Sequence, residues 1–180
     1  IWNAGLSLGS AGQVVKVNSG GNALEFGADV GGKVLQVKTN TNSSITTSSN
    51  NLGGKHAPSN RGVSNGVQVC SVTITPQSTT SHFHCWFSCP SGVGGNDQPF
   101  VGLFSGSTLL NLSNGNGYAG DIDNMSCIGI QDTTSLSGAQ TIQVRNLGSA
   151  GASQHGTCAG GGGNNYNGGI ATLIVMEVED

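Results

Sequence analysis

Polar and hydrophobic residues alternate along much of this chain, and no segment has the hydrophobic spacing of an amphipathic helix. Alternation of this kind is typical of strands whose two faces meet different surroundings. Turn-forming residues separate the strand-like segments about every 8–12 residues, as in a sandwich or barrel. The predicted strands are 67–74, 81–89, 100–104, 108–112, 127–131, 141–147 and 170–178. The pattern therefore predicts an all-β sandwich or barrel for this part of the chain.

The predicted strand 81–89 has two chemically different faces, because successive side chains of a strand point to opposite sides. The first face carries Phe83, Cys85, Phe87 and Cys89. The second face carries His82, His84, Trp86 and Ser88. We expect the first face to lie in the core. The second is polar and aromatic, which predicts that it meets solvent or a subunit interface.

The last predicted strand, 170–178, is apolar on both faces. Ile170, Ile174, Met176 and Val178 share one face, and Ala171, Leu173 and Val175 share the other. A strand that is apolar on both sides is usually buried on both sides. We therefore expect this strand to occupy a central position in an assembly.

A short segment occurs twice near the start of the chain, at an offset of twenty residues. Residues 12–18, Gly-Gln-Val-Val-Lys-Val-Asn, recur as residues 32–38, Gly-Lys-Val-Leu-Gln-Val-Lys. One such unit is too small to bury its own apolar face, so it must pack on neighbouring copies or on the same unit of another chain. The repeat predicts an elongated, oligomeric stalk. Because the chain begins with Ile1 rather than Met, we also expect further repeats upstream.

Composition supports a division into stalk, linker and head. Residues 50–65 contain Gly, Pro, Asn and Ser with almost no apolar residues, which is typical of a linker. We assign residues 1–50 to the β-repeat stalk, 51–65 to the linker and 66–180 to the head. The 31 glycines and the many Ser, Asn and Thr residues favour strands joined by turns over isolated helices.

Charge is sparse and unevenly placed. Charged residues make up 8% of the chain, against about 25% in ordinary soluble proteins. Five basic and two acidic residues precede residue 62, which gives +3, whereas one basic and seven acidic residues follow it, which gives −6. An acidic distal part is a poor ligand for phosphate backbones, so we expect no nucleic-acid binding. No run of about twenty apolar residues is present, so we expect no membrane span.

The five cysteines do not form a recognisable framework. Cys70, Cys85, Cys89, Cys127 and Cys158 are odd in number and irregular in spacing, and no second close pair completes a zinc site. We expect them to be buried, reduced thiols in a protein that is assembled in a reducing cytoplasm.

Residues 12–27, which run from Gly12 to Gly27, resemble the repeat of tail-fibre and related virion proteins of tailed bacteriophages. In that family the repeats precede a β-sandwich similar to the complement-type, tumour-necrosis-factor-like jelly roll. The ending 171–178 is similar to the last strand of that domain, and 132–133, 141–145 and 104–109 are similar to its middle strands and hairpin. The resemblance implies a homotrimer, a place in the virion and no enzymatic activity. His82-Phe83-His84-Cys85-Trp86 departs from the plain aliphatic strand of the family pattern.

The resemblance implies a phage virion structural protein, the distal part of a trimeric fibre that contributes to host-surface attachment. An alternative is a capsid decoration or fibre-anchoring protein that binds no host ligand. A third hypothesis is a tail-spike depolymerase. The expected partners are further copies of this chain, other virion proteins and a host-surface polysaccharide or outer-membrane component. The expected location is the virion, assembled in the host cytoplasm.

The candidate binding residues are two histidines of one strand and five residues of two loops. His82 and His84 fall on one face of a strand, and three such pairs on a three-fold axis would offer six nitrogens to a transition metal. The alternative is a pair of partly exposed histidines beside an interface Trp, with no cofactor bound. The loop residues combine backbone freedom, amides and rings, as adaptable contact surfaces do, or they belong to surface loops without a ligand. They are Tyr118, Asn164, Asn165, Tyr166 and Asn167.

Catalysis finds little support in the sequence. The run Gly160-Gly161-Gly162-Gly163 lacks the Lys-Ser or Lys-Thr that closes a phosphate loop. We therefore expect no enzymatic activity and assign no catalytic residue.

Overall fold

Strands dominate the part of the chain that the computed structural model describes, which is residues 9–28, 33–44, 46–48, 62–93, 99–114, 122–149, 156–158 and 169–179. The strands are β1 (Gln13–Val17), β2 (Leu24–Ala28), β3 (Lys33–Asn42), β4 (Thr46–Ser48), β5 (Val67–Ile74), β6 (Ser81–Val93), β7 (Pro99–Ser105), β8 (Thr108–Asn114), β9 (Ile122–Asp132), β10 (Gln140–Ser149), β11 (Gly156–Cys158) and β12 (Ala171–Glu179). One 3₁₀ turn, Val63–Asn65, precedes β5. The expected all-β fold is confirmed.

The chain forms two compact units, Ile1–Lys33 with Asp180, and Val34–Glu179. The described part of the first unit contains the antiparallel hairpin of β1 and β2. The side-chain oxygen of Asn18 shapes its turn by accepting hydrogen bonds from the backbone N–H groups of Asn22 (3.1 Å) and Ala23 (3.3 Å). An Asn side chain at this position replaces backbone partners that a tight turn leaves unpaired.

The second unit is a sandwich of two sheets whose strand pairs are nested. β3 lies beside β12, β5 pairs with β10, β6 pairs with β9, and β7 pairs with β8. The first strand of the unit, β3, therefore lies beside the last, β12. The pairs β5–β10, β6–β9 and β7–β8 are nested inside this pair in the same order along the chain. One sheet has the order β3-β12-β6-β9 and the other β5-β10-β7-β8. This winding of antiparallel strands between two sheets is a jelly roll, as expected for the head.

Two short strands extend the first sheet beyond the end of β12. β11 pairs with the far end of β6, where Thr157 lies opposite Gly92, and β4 pairs with β11. Neither strand was predicted, because segments of three residues are too short to establish a period of two. β11 and β4 therefore lie on the same side of β6 as β12.

The core lies between the sheets and is built from the inward face of each strand. The side chains of Phe83, Leu103, Ile142, Leu173 and Val175 have no exposed surface. The expected inner face of β6, Phe83 to Cys89 in steps of two, is buried as predicted. A fully buried aliphatic or aromatic side chain contributes about 1.5–3 kcal/mol, so this alternating set is the main source of stability.

β9 approaches the opposite sheet closely at one glycine. A Cβ atom at Gly129 would lie 2.8 Å from Leu103 Cδ2 and 3.2 Å from Leu110 Cβ. The absence of a side chain therefore lets β9 pack against β7 and β8 and close that side of the sandwich.

The opposite side of the sandwich is closed by amides of β3. Gln36 Nε2 donates to the carbonyl of Thr75 (2.7 Å), and Asn42 Nδ2 donates to the carbonyl of Val69 (2.9 Å). The backbone N–H of Ser71 donates to Asn40 Oδ1 at 3.2 Å. Polar side chains of one edge strand thus satisfy backbone groups of the edge strand in the other sheet.

The two copies of the repeat have different partners. The first copy lies in β1 and pairs with β2, whereas the second copy lies in β3 beside β12 of the sandwich. The expected stalk at 1–50 contains both copies, but the second copy joins a sheet of the sandwich because Gln36, Asn40 and Asn42 find backbone partners there. The division into 1–50, 51–65 and 66–180 stays a prediction, and most of 51–65 lies outside the described residues.

The expectation of reduced cysteines holds for three of them and is wrong for a fourth. Cys70, Cys85 and Cys127 are free and buried. Cys89 is disulfide-bonded. It lies near the end of β6 that β11 joins, and no sequence pattern indicates that the chain returns to this place.

Candidate functional site

The strongest candidate site is the outer face of the sheet that contains β12, β6 and β9. Side chains on this face alternate with the buried ones, so they point away from the core. The outer face comprises Thr172, Ile174, Met176 and Val178 of β12, His82, His84, Trp86 and Ser88 of β6, and Ser126, Ile128, Ile130 and Asp132 of β9.

Cross-strand register places the apolar members of this face side by side. Ile174 lies opposite Trp86, which lies opposite Ile128 on the other side of β6. The next row contains Met176, His84 and Ile130 in the same manner. These six residues form the apolar patch. Ile128 is 60% exposed and Ile130 is 59% exposed, so the patch is open within this chain.

The centre of the apolar patch is a pair of stacked rings. The ring centroids of His84 and Trp86 are 5.8 Å apart, and the ring planes are inclined by 23°. Both side chains are half-buried. A stacked pair of this kind restricts both side chains, so the patch presents a preformed aromatic surface.

Polar rows bound the apolar patch at both ends. At one end Ser88 Oγ donates to Asn124 Oδ1 at 2.9 Å. At the other end His82 lies opposite Asp132, whose carboxylate accepts a hydrogen bond from the backbone N–H of Thr134 at 2.7 Å. The hydrogen bonds from Thr134, with a smaller effect of His82, lower the pKa of Asp132. An apolar centre with a polar rim is typical of a protein interface.

β3 extends this apolar surface past β12. Because Gln36 turns inward to Glu177 of β12, its neighbours Leu35 and Val37 point to the outer side. Val37 is 51% exposed and Leu35 is half-buried. Exposed apolar surface thus runs across four neighbouring strands of one sheet, and monomeric soluble proteins rarely expose patches beyond a few hundred Å².

The hairpin of the first unit also has one apolar face. Val15 and Val17 of β1 lie opposite Phe26 and Leu24 of β2, and the alternation places all four on the same side. Val17 is 58% exposed and Leu24 is 57% exposed. An isolated two-stranded hairpin is at best marginally stable in water, so this face is suited to being covered by other protein.

Among the residues predicted from sequence as sites, His82 and His84 lie on the outer face two positions apart. No group of three or more His, Cys, Asp or Glu side chains that would hold a metal occurs within the described ranges. Tyr118, Asn164, Asn165, Tyr166 and Asn167 lie outside the described residues. The loop interpretation and the metal interpretation both stay predictions.

A buried polar cluster centred on Glu177 has no counterpart among the sites predicted from the sequence. Its side chain has no exposed surface and lies on the inward face of β12. Its carboxylate accepts hydrogen bonds from Gln36 Nε2 (2.6 Å), Ser81 Oγ (2.6 Å), and the backbone N–H groups of Gln77 (2.8 Å) and Ser78 (3.2 Å). The only available signal was one Glu at an inward position of an otherwise apolar strand.

The Glu177 cluster continues through hydroxyl groups into the next turn. Ser81 Oγ and Thr133 Oγ1 are 2.9 Å apart, and both side chains are fully buried. Thr133 Oγ1 also lies 2.6 Å from the carbonyl oxygen of Ser81. Burial opposes ionisation of Glu177, but the four donors outweigh it and hold the pKa of this carboxyl below its ordinary value.

The free thiols are poor candidates for chemistry. Burial raises the pKa of Cys70 to about 11 and the pKa values of Cys85 and Cys127 to about 12. The thiolate is the reactive form of cysteine, so these residues pack as small hydrophobic groups instead.

Comparison with known proteins gives structural likenesses only. No protein-family model and no curated protein matches this chain. The chain is similar to a carbohydrate-binding module CBM36 in complex with calcium and xylotriose, with 15% identity, a TM-score of 0.34, and coverage of 72% of this chain and 98% of that one. It is also similar to the CBM36-1 domain of a multidomain xylanase from the hindgut metagenome of Trinervitermes trinervoides, with 13% identity, a TM-score of 0.30, and coverage of 78% and 98%.

A third likeness is to the structure of the infectious bursal disease virus Gx strain. The identity is 9% and the TM-score is 0.35, and the match covers 92% of this chain and 46% of that chain. Likenesses at these scores carry no argument about function. Among the residues that the structure describes, no helix is long and apolar enough to cross a membrane.

Proposed function

We propose that this chain is a structural protein of a phage virion, the distal part of a homotrimeric fibre that contributes to attachment at the host surface. The repeat at 12–18 and 32–38 would belong to the stalk and its junction, and the jelly roll would be the head. The chain has no catalytic role in this proposal. Its partners are two further copies, other virion proteins and a host-surface polysaccharide or outer-membrane component.

The observation that carries the proposal is the apolar patch on the outer face. Ile128 and Ile130 are more than half exposed beside Trp86, and no charged residue lies within the patch itself. Leaving such a surface in water is costly, at about 25 cal/mol for each Å² of apolar area. Burial between subunits removes that cost, which supports an assembled protein rather than a monomer.

The hairpin of β1 and β2 supports the same assembly. Its apolar face, Val15, Val17, Leu24 and Phe26, is suited to packing against the same face of other copies. Lys16 and Glu25 form an ion pair of 3.7 Å on the opposite side of the hairpin, where solvent reaches them. One apolar and one charged side is the pattern expected of a stalk element whose inner side meets other chains.

Three heads in one fibre would bind a repetitive host surface by avidity. Weak contacts at each head combine when geometry allows simultaneous engagement, so no single tight site is needed. The candidate contact residues are Tyr118 and the 164–167 loop, whose amides and rings suit a polysaccharide. Alanine substitution of Tyr166 should weaken adsorption of virions to host cells, and unchanged adsorption would remove this loop from the proposal.

Imaging of virions that carry a labelled copy of this chain tests the location. Label at the distal tip of a fibre is the expected result. Label on the capsid surface or at a fibre base would instead favour a decoration or anchoring protein. The proposal of no enzymatic activity is tested by incubating the protein with host polysaccharide, where release of oligosaccharides would contradict it.

The metal proposal depends on the assembly and has its own test. Three His82 and His84 pairs around a three-fold axis would offer imidazole nitrogens, which suit transition metals. Elemental analysis of the purified assembly should then find about one metal ion per trimer, and this ion should disappear in His84→Ala. A metal content well below that ratio in the unaltered protein would exclude the site.

A further inference from the structure

The second copy of the repeat contacts the sandwich in the way that the first copy contacts its hairpin partner. Lys16 and Gln36 are equivalent positions of the repeat. Lys16 Nζ lies 3.7 Å from Glu25 Oε1 on β2, and Gln36 Nε2 lies 2.6 Å from Glu177 Oε2 on β12. In both copies the same position reaches a glutamate on the neighbouring strand.

The two neighbouring strands are alike around that glutamate. Glu25 stands between Leu24 and Phe26, and Glu177 stands between Met176 and Val178. In each case the glutamate faces one side and two apolar residues face the other. β12 therefore lies beside the second copy of the repeat as β2 lies beside the first copy.

β3 is held on the sandwich without any fully buried side chain. None of the side chains in its ten residues is buried. Its attachment rests on backbone pairing with β12 and on the hydrogen bonds of Gln36, Asn40 and Asn42. Segments with few buried apolar contacts open at a small fraction of the global unfolding free energy, so β3 can separate while the core stays folded.

Glu177 is the point where β3, the turn before β6, and β6 itself meet. It accepts hydrogen bonds from Gln36 of β3, from the N–H groups of Gln77 and Ser78, and from Ser81 of β6. An ionised carboxylate can accept all four. Protonation removes the charge, so these hydrogen bonds lose about half their strength. An O–H on Oε2 would also point at Gln36 Nε2, which can only donate.

We propose that Glu177 is an acid-operated latch for β3: when ionised it holds the second repeat copy against β12, and when protonated it releases that strand while the remainder of the sandwich stays folded. The proposal does not depend on the virion role. It assigns to the repeat a reversible docking site on the edge of β12, with an extended segment bearing Gln or Lys at the central position as its ligand.

Other charged groups near the latch do not provide it with a counter-charge in the described residues. Glu179 lies on the same face of β12 and accepts a hydrogen bond from Ser78 Oγ at 3.1 Å. Lys38 lies two residues from Gln36 on β3 and is exposed. His82 and Asp132 face the outer side of the sheet. The pKa of Glu177 is lowered from its ordinary value of 4.5, so the latch is closed at neutral pH and opens as the pH falls through this lowered pKa.

Hydrogen exchange measured by mass spectrometry on the full chain tests the latch. After correction for the intrinsic exchange rate, peptides from 33–42 should lose protection as the pH falls through the pKa of Glu177, below its ordinary value of 4.5, while peptides from 81–89 keep theirs. Glu177→Gln should give about 10- to 100-fold faster exchange in 33–42 already at pH 7, the size expected when a buried hydrogen-bonded group loses its partner. Glu179→Gln is the matched control and should exchange like the unaltered protein.

Substitutions at Gln36 test the latch from the other side and do not require altering the buried residue. Gln36→Glu places a second carboxylate beside Glu177 and should release β3 at pH 7. Gln36→Lys restores the residue of the first copy and should keep β3 protected to a lower pH than in the unaltered protein. The proposal is overturned if β3 opens only together with 81–89 as the pH falls, or if Gln36→Glu and Gln36→Lys exchange alike.

Discussion

Glu177 is a buried carboxylate that is kept ionised by neutral donors. The two side-chain and two backbone donors around it come from three separate segments of the chain. Hydrogen bonds to an ionised group are about twice as strong as those between neutral groups, so they compensate for its removal from water. Because these donors come from different segments, the buried carboxylate of β12 also connects this strand to β3 and β6.

The stability of the fold should depend on pH through this residue. A folded-state pKa below the ordinary value of 4.5 contributes stability that is present above that pH and is lost as the pH falls through the folded-state pKa. The free energy of unfolding, measured in urea between pH 7 and 3, should therefore fall more steeply in the unaltered protein than in Glu177→Gln. Parallel pH profiles for the two proteins would contradict this role.

The three free cysteines should not react with alkylating reagents while the protein is folded. Since burial raises the pKa of Cys70 to about 11 and those of Cys85 and Cys127 to about 12, almost no thiolate exists at pH 8. Iodoacetamide at pH 8 should leave all three unmodified until urea unfolds the chain, as read by peptide mass spectrometry. Alkylation of Cys85 under native conditions would show that the core is less closed than described.

At the scale of elements, amide side chains close the sandwich where its sheets would otherwise present free edges. Asn111 Nδ2 of β8 donates to the carbonyl of Ile128 on β9 at 2.5 Å. On the other side, Asn40 and Asn42 of β3 bond backbone groups of β5, and Gln36 bonds the carbonyl of the residue that follows β5. Unpaired backbone groups along an edge are templates for aggregation, and these contacts reduce that exposure.

Removing one of these amides should loosen β9. Asn111→Leu deletes the hydrogen bond to Ile128 and the one from the backbone N–H of Leu112 to Asn111 Oδ1, so it should lower the free energy of unfolding by about 1 kcal/mol. The urea midpoint measures this loss. Asn114→Leu, at an exposed position of the same strand, is the control, and an equal loss in both variants would assign the effect to strand propensity instead.

Strand alternation predicted the elements of the head because most of them pack one face on a core. The inner set from Phe83 to Cys89 followed directly from a period of two. β4 and β11 escaped prediction because three residues define no period. The pairing of β3 with β12 also escaped it, since amides such as Gln36 resemble solvent-exposed residues until their backbone partners are known.

Only part of the candidate site could be predicted from the sequence, because the pairing register of the strands brings the other residues to it. The histidines and Trp86 stood out within one strand, but Ile128 and Ile130 join them only through the pairing of β6 with β9. Glu177 was missed because one glutamate near the end of an apolar strand ordinarily faces solvent. Contacts between strands distant in sequence decide both features, and local patterns do not contain them.

At the scale of the whole molecule, both units expose an apolar face that contains one copy of the repeat. Val15 and Val17 contribute to the hairpin, and the equivalent Leu35 and Val37 contribute beside β12. Packing of identical chains against one another would cover both faces. The central claim is therefore that the apolar patch is a subunit interface.

Light-scattering mass measurement on three proteins tests that claim most directly. The unaltered chain should have three times its mass of 18.0 kDa, and Ile128→Glu, which places a charge in the patch, should shift it to the monomer. Thr141→Glu changes an exposed residue of the other sheet and should remain a trimer. A monomer mass for the unaltered protein, or a trimer that Ile128→Glu leaves intact, would contradict the account.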